Sequence, residues 1–168
     1  LSRGLAGVAP TAQVALVENA DLYRTWHGYD HDRIKVLLGP HAPYTCPDSY
    51  MEEVIALSHE IGAGIHMHLS ETKGEVDNVI KATGKTPIAH MHELGLFYNG
   101  ALAAHCVHIT EEDMAIMRDN HVAVAHNPQS NLKLASGIAP VPEMIAAGIT
   151  VGLGTDGSAS NNNADMLE

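Results

Sequence analysis

The chain has 168 residues, of which 45% are apolar, and its formal net charge is −11 at pH 7. This length and apolar content allow one modest hydrophobic core and exclude a disordered chain. The negative charge and the lack of any lysine or arginine run exclude nucleic acid and anionic membrane as expected partners, because both require a basic face. Two cysteines, Cys46 and Cys106, do not make a disulfide framework, so we expect reduced thiols and a cytoplasmic protein.

Short apolar runs alternate with longer amphipathic segments along the chain. We predict strands at residues 34–38, 65–69, 101–105, 122–125 and 149–153, with residues 1–8 as a sixth candidate. Each run is followed by apolar residues at helical spacing. The sequence therefore alternates strand and helix from near its start to near its end.

Local signals mark where the helices begin and end. Pro47 suits the first turn of the helix after the first strand, and Thr110 suits an N-cap. Gly84 suits a helix end, because glycine adopts the left-handed conformation that closes a helix. We expect a loop over residues 127–137 and a short helix after the polar residues 161–163.

This alternation predicts parallel strands joined by right-handed crossovers, in either an open doubly wound sheet or a (β/α)8 barrel. Polar residues follow almost every predicted strand, which favours the barrel, because an open sheet would gather them at one switch point. A barrel takes about 250 residues. We therefore expect residues 1–168 to be a single partial barrel domain that lacks the first barrel strands. It would supply five or six of the eight units of a longer protein.

The segment His66-Met67-His68-Leu69-Ser70-Glu71-Thr72 carries the strongest chemical signal. His66 and His68 share a face of a strand, because alternate side chains point the same way. They are a candidate metal pair, although His66 would lie deeper in the barrel and is better explained by a bond to the backbone. Glu71 follows His68 by three residues, at the expected end of the strand.

Other candidate groups lie at further strand ends, and each has an ordinary explanation. His105 could be a strand-end histidine bonded to a loop, and Asp156 before a glycine could be a turn. His41 lies between Gly-Pro and Pro, His126 precedes Asn-Pro, and His108 is better explained as incidental. Their recurrence at successive strand ends favours hydrolysis by a metal-activated water.

Several segments resemble the amidohydrolase superfamily, and within it the 5′-methylthioadenosine/S-adenosylhomocysteine deaminases. Related triazine hydrolases and guanine deaminases share several of them. The segments are Gly-Pro-His-Ala-Pro-Tyr-Thr at 39–45, His-Leu-Ser-Glu-Thr at 68–72, Ala-Ala-His-Cys-Val-His at 103–108, Ala-His-Asn-Pro-Gln-Ser-Asn-Leu-Lys-Leu at 125–134, Gly-Ile-Ala-Pro-Val-Pro at 137–142 and Gly-Thr-Asp-Gly-Ser-Ala-Ser-Asn-Asn at 154–162.

The resemblance implies one divalent metal, zinc with Fe²⁺ as the alternative, held by His68 and Asp156. It implies Glu71 as the proton shuttle, His105 as the imidazole that faces the attacking water, and Asp156 as a catalytic group as well as a ligand. The family also has a His-x-His pair on its first strand. The pair at 66–68 is followed by Leu-Ser-Glu-Thr and so matches the fifth strand. Two ligands and the small terminal β-domain are therefore expected to be absent from this chain.

For the substrate, the resemblance implies contacts from His41, Glu71, Asp156 and Arg3. The implied reaction is attack of a metal-bound hydroxide on C6 of an adenine nucleoside, with release of ammonia. We expect a small-molecule nucleoside as substrate, neither nucleic acid nor membrane as partner, and a homo-oligomer in the full-length form. The 168 residues alone are expected to be inactive and prone to aggregate, because a part-barrel exposes unpaired strand edges.

Three alternatives are open. A related amidohydrolase could act on guanine, cytosine or an s-triazine through the same motifs. A partial-barrel scaffold without catalytic activity could keep the motif residues and would purify without stoichiometric metal. An open flavodoxin-like binding domain ranks last, because the sequence has no glycine-rich phosphate loop.

Overall fold

The computed structural model describes residues 11–166, and within them no helix is long and apolar enough to cross a membrane. Strands and helices alternate along most of this range, as the sequence predicts. In chain order the elements are α1 (Ala12–Trp26), α2 (Tyr29–Asp32), α3 (Asp48–Ile61), β1 (Ile65–Leu69), α4 (Lys73–Thr83), α5 (Pro87–Leu94), β2 (Ala101–His105), α6 (Glu111–Asp119), β3 (Ala123–His126), α7 (Pro128–Lys133), α8 (Val141–Ala146) and β4 (Val151–Leu153).

The four strands form one parallel sheet in the order β1-β2-β3-β4. Met67 pairs with Ala103, Ala103 with Val124, and Val124 with Val151, so the register is continuous across the sheet. The parallel α/β prediction is confirmed. All four carboxyl ends consequently lie at the same edge, and any polar residue that follows a strand is delivered there.

The predicted strand at residues 34–38 is reduced to a single bridge between Leu38 and Ile65. Pro40 has no N–H with which to continue the ladder toward β1. The backbone N–H of His68 therefore donates to the carbonyl of His41, one residue beyond the position that a regular ladder would use. At the other end, the Val36 nitrogen lies 3.2 Å from His27 Nδ1 and is not paired with β1.

The helix signals at Thr110 and Gly84 are confirmed, whereas Pro47 is the N-cap of α3 and lies one residue before its first turn. Thr110 caps α6 in a reciprocal capping box: its hydroxyl accepts from Asp113 N, and Asp113 Oδ2 accepts from Thr110 N. Gly84 closes α4 with a φ of +76°. Such caps are set by a few neighbouring residues, and for that reason the sequence alone reveals them.

Three local predictions differ from the structure or lie outside it. The expected loop at 127–137 contains α7, because the fixed φ of Pro128 starts a helix. Residues 161–166 form turns and bends and not the expected short helix, and Ala164 has a φ of +52°. The strand expected at residues 1–8 lies outside the described residues. The long helix α1 is absent from the elements predicted from the sequence.

The two faces of the sheet differ sharply. On β1, Ile65, Met67 and Leu69 are buried, whereas His66 and His68 point to the opposite, partly open face. The apolar face packs against the helices, where Met51 and Met91 are fully buried. This alternation places the imidazoles on the face of the sheet opposite the core, which lies between the sheet and its helices.

Substitution of Gly64 tests how tightly the chain packs just before β1. An added Cβ would lie 3.0 Å from Leu37 Cδ2 and 3.1 Å from the carbonyl oxygen of Gly100. We expect Gly64→Ala to lower the free energy of unfolding by about 1–3 kcal/mol, the usual effect of overpacking. Gly74→Ala is the matched control, because its Cβ would meet nothing within 4 Å inside α4. It should leave stability unchanged or raise it by up to about 1 kcal/mol. Urea unfolding of the full-length protein decides, and equal effects of the two changes would contradict this packing.

Candidate metal centre

Three ligand-capable side chains converge at the carboxyl edge of the sheet. His68 near the end of β1, His105 at the end of β2 and Asp156 after β4 place one ligand atom each within 4.8 Å of one another. Parallel pairing causes this convergence, because each group directly follows or ends a strand. Their individual roles, inferred from the sequence, remain predictions.

His68 is held so that one ring nitrogen faces the cleft. Its Nδ1 lies 2.8 Å from the carbonyl oxygen of His41, and since a carbonyl only accepts, Nδ1 carries the proton. The lone pair is then on Nε2, which is 3.8 Å from Asp156 Oδ1. A backbone carbonyl on the far nitrogen is a common arrangement for a metal-binding imidazole.

Asp156 is oriented by two hydroxyls. Ser130 Oγ and Ser160 Oγ both donate to its Oδ2, each at 2.6 Å, which leaves Oδ1 toward His68. Burial alone would raise the pKa of Asp156, but the hydrogen bonds from Ser130, Ser160 and the backbone of Gly157 outweigh it and hold that pKa below its ordinary value. The carboxylate is therefore ionised at neutral pH.

His105 is fully buried and ends β2 with a φ of +71°. Its Nδ1 lies 2.8 Å from Asn131 Oδ1. Among the residues of the described range, none makes a hydrogen bond to its Nε2. A buried polar atom without a partner costs about 1–3 kcal/mol. This orphaned nitrogen faces the same space as the other ligand atoms, and a ligand there would satisfy it.

The residues present fit a divalent metal. Two imidazoles and a carboxylate are donors that zinc and similar ions accept. The 3.8 Å between His68 Nε2 and Asp156 Oδ1 is compatible with two ligands that each lie about 2.0–2.2 Å from one ion. A cavity of about 440 Å³ lies beside them and is lined by His66, Asn127 and Gly154, among others.

Glu71 lies next to this cluster. It is 9% exposed, and its Oε2 is 3.8 Å from His105 Nε2. Ser136 Oγ donates to its other oxygen at 3.1 Å. Ser70, just before it, has a φ of +53°, so the chain turns sharply where β1 ends. The result is a buried carboxylate with one anchored oxygen and one oxygen that faces the centre.

The remaining predicted histidines lie at different distances from the centre. The half-buried His41 ring is 4.9 Å from the His68 ring, and its Nδ1 is 2.8 Å from Thr45 Oγ1. Burial lowers the pKa of His41, which keeps the ring neutral near pH 7. His66 is exposed on the same face as His68, with ring centroids 6.4 Å apart.

Two further histidines and one arginine complete the predicted set. His126 ends β3, and its buried Nδ1 makes no hydrogen bond with any residue of 11–166. His108 Nε2 donates to the carbonyl of Ser136, so it supports the residue that anchors Glu71. Arg3 lies outside the described residues.

Sequence reasoning missed the groups that orient the centre: Ser130, Asn131, Ser136, Ser160 and Glu75. None of them follows a strand directly, so the strand-end criterion could not select them. One signal was available for Glu75, since Thr72 followed three residues later by Glu75 is the pattern of a capping box.

A parallel α/β sheet with candidate functional side chains gathered at the carboxyl ends of its strands is typical of (β/α)8-barrel enzymes. The sequence profile of the amidohydrolase family matches residues 10–168, and the chain belongs to that family. The prediction of a (β/α)8-type barrel, present here in part, is confirmed.

Several known proteins are similar to the chain. A protein of Desulforudis audaxviator (strain MP104C), named 5-methylthioadenosine/S-adenosylhomocysteine deaminase, is 55% identical over the whole chain. The solved structure of an adenosine deaminase from Xanthomonas campestris with bound zinc has a TM-score of 0.86 and 33% identity over 95% of the chain. That of a guanine deaminase from C. acetobutylicum with bound guanine has a TM-score of 0.81 and 27% identity over 91% of the chain.

The chain matches only part of each of these proteins. It spans 39% of the length of the Desulforudis protein, 36% of the Xanthomonas chain and 37% of the guanine deaminase chain. The similarity therefore extends over nearly all of this chain and over little more than a third of each relative.

Two histidines on one strand face give a matched test of the centre. We expect His68→Ala in the full-length protein to lower metal affinity by at least about tenfold, because it removes a candidate ligand. His66→Ala on the same face should keep the metal content of the unmodified protein. Metal analysis after purification checks both variants. A protein that keeps its metal without the His68 imidazole, or loses it without that of His66, would show that the ligand is misassigned.

Proposed function

We propose that the protein to which this chain belongs is a metal-dependent deaminase of 5′-methylthioadenosine and S-adenosylhomocysteine. The observation that carries the proposal is the position of Glu71, whose free oxygen is 3.8 Å from the orphaned Nε2 of His105, itself one of the three clustered ligand-capable groups. The name of the Desulforudis relative supports the substrate.

In this proposal His68 and Asp156 hold one divalent metal together with ligands from outside the chain. Zinc is the proposed ion, since the similar Xanthomonas structure contains it, and Fe²⁺ is the alternative. When bound, such a metal lowers the pKa of a coordinated water toward about 7 and so supplies a nucleophile at neutral pH. Asp156 suits the role of a ligand because it is ionised. Its hydroxyl partners occupy only Oδ2, so Oδ1 is available.

Glu71 has the geometry of a proton shuttle. The Ser136 hydroxyl fixes Oε1, while Oε2 faces the centre and is free to take a proton from the attacking water. The same oxygen can then deliver that proton to N1 of the adenine ring. The second proton of the water passes to the amino group, and the C6–N bond breaks to release ammonia and leave a C6 carbonyl. Zinc deaminases of other folds use a glutamate that is not a ligand in the same way.

His105 orients the attacking water in this scheme. With the Nδ1 proton donated to Asn131 Oδ1, Nε2 presents a lone pair toward the reacting atoms. His41, which is neutral and half-buried beside the His68 ring, is a substrate contact in the proposal. Arg3 is proposed to meet the polar tail of the substrate. Glu71 and Asp156 contact the reacting part of the same substrate.

Guanine is the alternative substrate with a specific observation behind it. The similar structure from C. acetobutylicum is a guanine deaminase. The same centre would deaminate guanine, cytosine or an s-triazine if the surrounding cavity bound those rings. A scaffold without catalysis is the less favoured alternative, because the buried Nε2 of His105 has a clear use only where a ligand completes the site.

The wider setting is also a proposal. The buried free thiols of Cys46 and Cys106 suit the reducing cytoplasm. The charge of −11 suits a small nucleoside as partner better than nucleic acid or membrane. Exposed Leu132, Leu134 and Ile138 near the carboxyl edge of the sheet suit contact with another copy, as the proposed homo-oligomer requires.

The role of Glu71 has a direct test. In the full-length protein, Glu71→Gln removes the group that accepts and returns the proton, so kcat should fall by about 10²–10⁴-fold while metal content stays unchanged. Glu112→Gln, on the exposed first turn of α6, is the control and should keep full turnover. Ammonia release and metal analysis are the measurements. Turnover that is unaffected by Glu71→Gln would remove the shuttle from the mechanism.

A substrate panel tests the identity of the substrate. Ammonia release from 5′-methylthioadenosine and S-adenosylhomocysteine should show higher kcat/KM than release from guanine, cytosine or an aminated s-triazine. A preference for guanine would replace the proposed substrate with its alternative. No turnover on any compound, together with no bound metal, would favour the scaffold.

A further inference from the structure

Glu75 is a buried carboxylate that the mechanism above does not use. It is 6% exposed and lies in the first turn of α4. Its Oε1 accepts from the backbone N–H of Ser70 at 3.0 Å, and its Oε2 accepts from that of Glu71 at 2.8 Å. Each oxygen therefore accepts a hydrogen bond from one of the two residues at which the chain turns after β1.

This arrangement differs from an ordinary capping box. Thr72 is the N-cap of α4, and its hydroxyl accepts from Glu75 N at 3.1 Å, which is the usual half of the motif. In the usual second half, the glutamate returns to the N–H of the N-cap residue. Here its oxygens also accept from the N–H groups one and two residues further back. The contact thus holds the turn that carries Glu71, beyond what capping the helix requires.

The same turn is bonded from its other side. The carbonyl of Ser70 accepts from the backbone N–H groups of Val107 and His108, at 3.0 and 2.9 Å. These two residues follow His105 closely at the end of β2. Hydrogen bonds therefore connect Glu75, through the 70–71 turn, to the segment just after the buried imidazole.

The surroundings of Glu75 make its contacts strong. Burial raises the pKa of Glu75, and the backbone N–H groups of Glu71, Ser70 and Thr72 act in the opposite direction. Hydrogen bonds to an ionised carboxylate are worth roughly twice those between neutral groups. Glu75 also lines a cavity of about 340 Å³, together with Tyr44 and Asn78.

We propose that Glu75 is a positioning residue for Glu71: by holding the N–H groups of residues 70 and 71, it fixes the direction in which the Glu71 side chain leaves the end of β1. Glu75 touches neither the candidate metal ligands nor the reacting atoms, so its effect on the reaction passes through the 70–71 turn. The inference rests on the proposed function of Glu71 in proton transfer.

The first test is Glu75→Gln in the full-length, metal-loaded enzyme. Glutamine keeps the size of the side chain but turns an NH₂ group toward a backbone N–H, so one of the two bonds is lost. Because small displacements of a reacting group cost up to about 10²-fold in rate, kcat should fall by about 10–100-fold with KM and metal content unchanged. Wild-type kcat would overturn the proposal.

A double variant separates positioning from a general loss of structure. If Glu75 acts only through Glu71, then Glu75→Gln should add almost nothing to the loss already caused by Glu71→Gln. A further drop of the same size in the Glu71→Gln background would show that Glu75 acts independently, and the proposal would fail. Glu75→Asp keeps the charge on a shorter arm and is expected to retain more kcat than Glu75→Gln. If Glu75→Gln does not fold, the comparison with Glu71→Gln is made with Glu75→Asp.

Asp113 supplies the matched control. It is 1% exposed, and its carboxylate also accepts from a backbone N–H before a helix, that of Thr110 at 3.0 Å. Its contacts hold the starts of α6 and α5, through Thr110 and Thr86, and not the 70–71 turn. Asp113→Asn should therefore lower the unfolding temperature without changing kcat. A kcat loss equal to that of Glu75→Gln would reduce the effect of Glu75 to stability.

Hydrogen exchange distinguishes failure of this inference from failure of the proposed function. In Glu75→Gln the amides of Ser70 and Glu71 should exchange faster, whereas Asp113→Asn should leave them protected. If no substrate is turned over, the deaminase proposal fails and exchange still decides whether Glu75 holds the turn. Unchanged exchange at both amides would overturn the inference whatever the activity.

Discussion

The candidate centre depends on the parallel pairing of its strands. Because β1, β2, β3 and β4 run in one direction and in continuous register, residues far apart in the chain reach one edge of the sheet. His68 and Asp156 are 88 positions apart, yet their side-chain atoms are 3.8 Å from each other. Strand direction brings these groups together, but it does not set the orientation of their side chains. That orientation comes from a second set of polar residues on helices and loops.

That second set works by occupying one atom of each functional group. The carbonyl of His41 takes Nδ1 of His68, Asn131 faces Nδ1 of His105, and two serines occupy Oδ2 of Asp156. In every case the atom left over points to the same space. A side chain with two polar atoms is thereby left with one available atom in a defined orientation. In active sites such orientation matters more than the mere presence of imidazoles and acids.

The sequence reveals most of this fold and about half of the site. Features that depend on near neighbours, such as the Thr110 cap and the Gly84 helix end, are readable from the residues themselves. The strand ends that carry His68 and Asp156 are also readable, because apolar runs stop there. The orienting residues are not, since Ser136 acts on Glu71 across 65 positions and nothing local marks the pair. The strand predicted at residues 34–38 is reduced to one bridge for a related reason. Whether an apolar segment pairs into a sheet depends on the neighbouring strand as well as on its own composition.

Pro40 illustrates what an irregular edge contributes. By interrupting the ladder, it shifts the acceptor for the His68 backbone N–H to the carbonyl of His41, and this one oxygen also receives the imidazole proton of the same residue. A longer, more regular strand would offer its oxygens to β1 alone. The interruption of the ladder thus lets a single peptide group anchor both the main chain and the ring of His68. A sequence with better strand pairing at this edge would lose the hydrogen bond that orients the imidazole.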